Sequence, residues 1–160
     1  MIDTQNAKSV DEAEKYQKTY RLIFDKDTVK AYNEKTKILI NESVGFDSQK
    51  ETFTALDHCI ASIVSEILLC IHRQAELEHE TIMDLESRTT LDIKNPLTLL
   101  NVIGYDEIPY IERVTVKIYA YSFLEKAEAL KLFERALKKC VLYNSLKDAL
   151  QFQVVFDLSI

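Results

Sequence analysis

The sequence predicts an α+β fold in which a largely antiparallel sheet packs on one long, buried central helix. Three observations predict it. From about Ser48 to His72 or Arg73, Phe53, Leu56, Ile60, Ile63, Val64, Ile67, Leu68 and Ile71 recur at helical spacing. Residues 80–93 and 112–121 alternate apolar and polar side chains, the period of strands wet on one face. A second amphipathic helix and a final alternating run follow. Residues 1–18 read as a polar tail or short extra helix, and 19–160 as one domain, the size a single core supports.

In chain order, Tyr20, Leu22 and Phe24 alternate with Arg21, Ile23 and Asp25, Asp25-Lys26-Asp27 offers a turn, and residues 37–41 bring a second short strand with Ile38 and Ile40. Ser48-Gln49-Lys50-Glu51 has the form of a capping box and starts the long helix there. Leu69 and Cys70 widen its stripe toward an all-round apolar surface. One thin sheet covers only one side of such a helix, so a second copy of the chain is expected on the other. In the next strand Met83, Leu85, Leu91 and Ile93 oppose Asp84, Glu86, Arg88 and Asp92, and Pro96 ends it. Val114, Val116, Ile118 and Ala120 then oppose Arg113, Thr115, Lys117, Tyr119 and Tyr121. Ser122-Phe123-Leu124-Glu125 reads as a second capping box, before a helix with Ala127, Leu130, Phe133, Leu137 and Cys140 or Val141 along its core stripe. Residues 141–145 read as a turn, and residues 151–160 as a last strand with Phe152, Val154, Phe156 and Leu158 on one face.

Composition excludes several functions. A net charge of -6 argues against a nucleic-acid or anionic-membrane partner, because phosphate binding needs a basic surface, and no basic cluster stands out. With only Gly45 and Gly104, the chain has no Gly-rich phosphate cradle or dinucleotide fingerprint. The first residues lack the basic start and apolar core of a signal peptide, so a cytoplasmic protein is expected. Three cysteines in such a compartment point to transient, catalytic thiol chemistry rather than a disulfide framework.

The cysteines carry that chemistry. Cys59 lies in the apolar helix, within Ala55-Leu56-Asp57-His58-Cys59-Ile60-Ala61, and Cys140 closes the second amphipathic helix. Cys59 alone reads as a small buried hydrophobe. If the fold joins the two, one thiolate attacks an oxidant and the other captures the sulfenic acid as a disulfide. Cys70, eleven residues after Cys59, returns to nearly the same helix face and reads as core packing, or as a less efficient rescuer of oxidised Cys59. A zinc site from His58, Cys59, Cys70 and His72 fails because neighbouring helical residues diverge by about a hundred degrees. Tyr119, Tyr121 and Phe123 read as core or interface packing, or as the wall of an apolar pocket for an alkyl peroxide.

Residues 55–62, the strands after them, and Arg135-Ala136-Leu137-Lys138-Lys139-Cys140-Val141-Leu142-Tyr143-Asn144-Ser145-Leu146 resemble the OsmC/Ohr family of osmotically inducible and organic hydroperoxide resistance proteins. The resemblance runs from about Tyr20 to Leu158. It implies an OsmC-like intertwined homodimer with active sites near the subunit interface, and thiol-dependent reduction of organic hydroperoxides. Cys59 would be the peroxidatic cysteine and Cys140 the resolving one. A dithiol or lipoyl-type reductant would close the cycle, with no metal or organic cofactor. The alternative is a non-catalytic protein of the same fold that binds an apolar small molecule at its dimer interface.

The sequence departs from the family pattern at the groups that activate the thiolate. The family places a glutamate ten residues before the first cysteine, holding an arginine; this chain has Gln49 there, with Glu51 two positions on. Glutamine orients by hydrogen bonding but neutralises no arginine. For the cation the amino-terminal hairpin offers Arg21 and Lys26. Val141 stands where a proline often follows the second cysteine. With a helix starting at Ser48, Cys59 would lie about three turns in, too far for the helix dipole to help its thiolate.

Overall fold

The structure, a computed structural model, describes residues 17–33, 35–46 and 53–159. The chain divides into two compact units, Met1–His58 and Cys59–Ile160.

In the first unit, strands β1 (Arg21–Asp25), β2 (Thr28–Tyr32) and β3 (Lys37–Ile40) form an antiparallel meander in that order. The β1–β2 turn is the two residues Lys26 and Asp27, both at positive φ (46° and 65°), the conformation a tight hairpin requires. Lys30 Nζ closes it with a 2.6 Å ion pair to Asp25. The sequence reading missed β2, whose apolar face is carried by only two small residues, Val29 and Ala31. At the second turn Asn33 Oδ1 accepts the N–H groups of Lys35 and Thr36, the side-chain mimic of a backbone turn. Leu22 and Phe24 alternate as expected, but within one chain that face is exposed.

The central helix α1 (Ala55–Leu77) starts and ends later than its periodicity predicts. The Ser48–Glu51 box lies outside the described residues; the start observed at Ala55 is capped by Thr54. Thr54 Oγ1 accepts the Asp57 N–H at 3.2 Å, while Asp57 Oδ2 accepts from the Thr54 N–H and hydroxyl at 2.8 Å each, a reciprocal capping box. The Ala55 and Leu56 N–H groups donate to the carbonyls of Glu42 and Ser43. At the other end Gln74 and Ala75 are buried and prolong the stripe past Arg73; His79, at φ 59°, then turns the chain out of the helix while the Glu80 N–H returns to the Ala75 carbonyl. Length and hydropathy alone would also suit a bilayer span. Instead, one face of α1 supplies Ile60, Ile63, Val64, Ile67 and Ile71 to a protein core, and Leu69 on the other is exposed.

The second unit is built on the sheet β4-β5-β6 (Ile82–Lys94, Tyr110–Ser122, Phe152–Ser159). A 3-10 turn, Pro96–Leu100, opens the loop between β4 and β5. β5 is the middle strand, and its Val114, Val116, Ile118 and Ala120 are buried as the alternation predicts. β4 pairs antiparallel with it through a bulge at Asp84 (φ 48°), where Met83 faces Tyr121 and Glu86 faces Tyr119. The extra residue reverses the phase, so that Met83 is exposed and Ile82 points inward, against the expected alternation. β6 pairs parallel with β5, which requires the helical crossover that precedes it.

That crossover is α2 (Lys126–Leu137) and α3 (Val141–Leu146). Ser122 accepts the Leu124 N–H but does not cap α2, which begins after Glu125. Its buried stripe is Ala129, Leu132, Phe133 and Ala136, continued by Cys140; Ala127 faces solvent, and Leu130 and Leu137 are only half-buried. The expected stripe was thus rotated, sharing Phe133 and Cys140 with the observed one. Residues 141–145, expected as a turn, lie within the short helix α3. Phe133 meets Phe156 of β6 with ring centroids 4.8 Å apart, so α2 is seated on the sheet at its bulkiest residue.

Candidate thiol site

Residues 139–143, the junction after α2 and the first turn of α3, form a ladder against one stripe of α1. Glu66, Cys70 and Gln74 are spaced four apart and therefore stack on a single helix face. Glu66 accepts the backbone N–H groups of Val141 (2.9 Å), Leu142 (2.8 Å) and Tyr143 (3.2 Å), the free donors of the first turn of α3. One rung along, Cys70 neighbours Cys140 closely enough for the two thiols to interact electrostatically. One rung further, Lys139 Nζ donates to Gln74 Oε1 at 2.6 Å.

Cys140 is fully buried at the junction, with extended backbone (φ −80°, ψ 111°), and its thiol donates to the Ala136 carbonyl at 3.5 Å. Burial pushes this thiol far up from its usual range, and both the Cys70 thiol and the Glu66 carboxylate push the same way. Cys140 therefore stays a thiol at neutral pH, a state suited to capturing a sulfenic acid and unsuited to attacking a peroxide. Cys70 is half-buried and opens onto a pocket of about 210 Å³ lined by Arg73, Gln74, Leu77 and Lys139.

Cys59 lies elsewhere. It is exposed, and a helix starting at Ala55 places it about one turn in rather than three, closer to the positive end of the helix dipole than the sequence reading allowed. Eleven residues of helix separate it from Cys70, about 16 Å along the axis, whereas a disulfide needs Cα atoms about 4.4–6.8 Å apart. A subunit that holds Cys140 against Cys70 does not also bring it to Cys59.

Gln49 and Glu51 lie outside the described residues. Arg21 is exposed on β1, and Lys26 forms the hairpin turn of the first unit. Tyr119 and Tyr121 line an open hollow of about 420 Å³ with Asp84, Glu86 and Arg88, and Phe123 lies exposed, edge-on to Tyr121. A lining so charged does not make an apolar pocket. Among the described residues no three His, Cys, Asp or Glu side chains converge as a metal site. His72 instead sits 3.4 Å from Glu76 on the solvent side. Sequence reasoning missed Glu66 and the partnership of Cys70; the four-residue spacing of Glu66, Cys70 and Gln74 was the signal on the page.

The ladder ends in an ion pair that gives it a pH dependence. Arg135 grips Glu78 through Nε (2.7 Å) and Nη2 (2.6 Å), and Gln74 Nε2 donates to the same carboxylate. The hydrogen bond from Arg135, then that from Gln74, holds the Glu78 carboxyl down to about 2. A depressed carboxylate adds stability above its unfolded pKa, about 4.3, and loses it as pH falls toward 2. Acid titration of unfolding should therefore show a loss in that window that is smaller in Glu78→Gln; an unchanged acid limb would contradict the assignment.

No protein-family model matches the sequence, and no curated protein matches it. Solved structures do. The chain superposes on an OsmC-like protein from Mycoplasma pneumoniae with a TM-score of 0.68 at 14% identity, covering 90% of this chain and 96% of that one. It superposes on an organic hydroperoxide resistance protein OsmC from Legionella pneumophila with a TM-score of 0.59 at 12% identity, covering 91% and 98%. For the organic hydroperoxide resistance protein OhrB of Bacillus subtilis the values are 0.58 and 12%, covering 90% and 98%.

Proposed function

The chain has the OsmC/Ohr fold, and on that premise we propose that it reduces organic hydroperoxides by thiol chemistry. The observation that carries the reading is a pair of neighbouring thiols, one buried and one opening to a pocket, on a scaffold shared with organic hydroperoxide resistance proteins. A cysteine thiolate attacks the outer peroxide oxygen, the O–O bond breaks, and the alcohol leaves with a proton. The resulting sulfenic acid condenses with a second thiol, releasing water, and an external dithiol of the lipoyl type restores both thiols.

Of the two cysteines the resemblance singles out, Cys140 has the resolving character, being buried, protonated and in contact with another thiol. Cys59 is a surface thiol remote from it. The uncovered side of α1, with Leu69 67% exposed, supports a homodimer closing over that face. A second reading, binding of an apolar small molecule without catalysis, draws on Glu66, which stands over the Cys140 junction as a structural cap. Turnover of cumene hydroperoxide by the full chain with dihydrolipoamide decides between them. The proposal expects consumption that falls to background in Cys140→Ser; equal rates in both proteins, or none in either, would sink it.

A further inference from the structure

We infer that the disulfide partner of Cys140 is Cys70, so that the redox pair of this chain joins the middle of the central helix to the α2–α3 junction and leaves Cys59 outside it. The chemistry rests on the proposed hydroperoxide reduction; the pairing rests on geometry. Three consecutive rungs fix it: Glu66 to the N–H groups of residues 141–143, Cys70 to Cys140, and Gln74 to Lys139. The outer rungs hold the junction in register on α1, so the middle one cannot slide the roughly three helical turns to Cys59 without breaking both. With the junction held on both sides of them, the two neighbouring sulfurs have only to close to about 2.05 Å to bond.

The pocket supplies the direction of the reaction. Only Cys70 of the two lines it, beside Arg73, Leu77 and Lys139, so a hydroperoxide carrying an apolar chain and an anionic end fits there with its peroxide group toward Cys70. Cys70 loses its proton, its sulfur takes the outer peroxide oxygen, and the alkoxide leaves as the alcohol with that proton. Cys140 sulfur then displaces the hydroxyl from the Cys70 sulfenic acid, its own proton leaving in the water formed. Two thiols have given two electrons to one peroxide, and the product disulfide staples α1 to the junction.

Peptide mapping of the full, reduced chain after treatment with diamide, and separately with one equivalent of cumene hydroperoxide, tests this. A Cys70–Cys140 disulfide from both oxidants, in the wild type and in Cys59→Ser, is the expected result, with the crosslink lost in Cys70→Ser. If diamide forms it and the hydroperoxide does not, the pairing stands and the hydroperoxide reading falls. If the hydroperoxide is consumed and Cys140 is joined to Cys59, the pairing is overturned and the reading survives. Cys140 left reduced by both oxidants overturns the pairing as well. The wild-type map alone separates these outcomes, whether or not Cys70→Ser folds.

Discussion

The Phe133→Ala variant should lose about 3–5 kcal/mol of unfolding free energy, the range for emptying a buried aromatic site. Phe133 is fully buried, lies at the centre of the α2 stripe between Leu132 and Ala136, and packs on Phe156 of β6. Its ring thus joins the crossover helix to β6, which pairs parallel with β5. Neighbours on two regular elements have little freedom to collapse into the space, so the cavity term adds to the lost transfer energy. Urea denaturation of the full chain measures this. A loss below about 1.5 kcal/mol would mean that the site collapses, and that α2 is not anchored there.

Glu66→Ala should cost about 2–3 kcal/mol, a large effect for one partly exposed side chain, because hydrogen bonds to a charged acceptor are the strong ones. Three backbone donors at the start of α3 depend on that carboxylate, and α3 has no capping side chain of its own. Glu66→Gln keeps one acceptor oxygen and should recover part of the loss. The loss should come with faster amide exchange at Val141, Leu142 and Tyr143 and faster alkylation of Cys140, whose position depends on the same junction. Loss of stability without faster exchange at those three amides would place the role of Glu66 elsewhere.

Phe133 already stood on the expected stripe, whereas the role of Glu66 arises where the sequence was least legible. The apolar periodicity of α1 and the alternation of β5 can be read directly, because each buries one face and the pattern records it. The burial of Cys140 was legible too, as the last residue of an amphipathic stripe. Other features were not, for definite reasons. Thr54 and Asp57 compete with Ser48 and Glu51 as capping pairs, and spacing alone does not rank them. The bulge at Asp84 inserts one residue and reverses the alternation of Met83, which periodicity counts as regular. The rotation of the α2 stripe follows from small residues, Ala129 and Ala136, being buried where larger ones at Leu130 and Leu137 sit at the margin.

The thiol partnership was the hardest to see. Cys70 and Cys140 are seventy residues apart, and only the ladder built by Glu66 and Gln74 on either side puts them together. Read one at a time, Cys70 is a core residue of an apolar helix and Glu66 a polar interruption in it. Read at a spacing of four, they form a face with two hydrogen-bonding groups flanking a thiol.

Reduction of an organic hydroperoxide by paired thiols can be followed in a single turnover. Fully reduced protein is mixed with a slight excess of cumene hydroperoxide, and the alcohol formed and the thiols lost are counted against time. About one alcohol should form for every two thiols lost, with the third thiol still open to alkylation. Hydroperoxide left intact, with all the cysteines still reduced, would contradict it and leave this OsmC-like fold to the binding role.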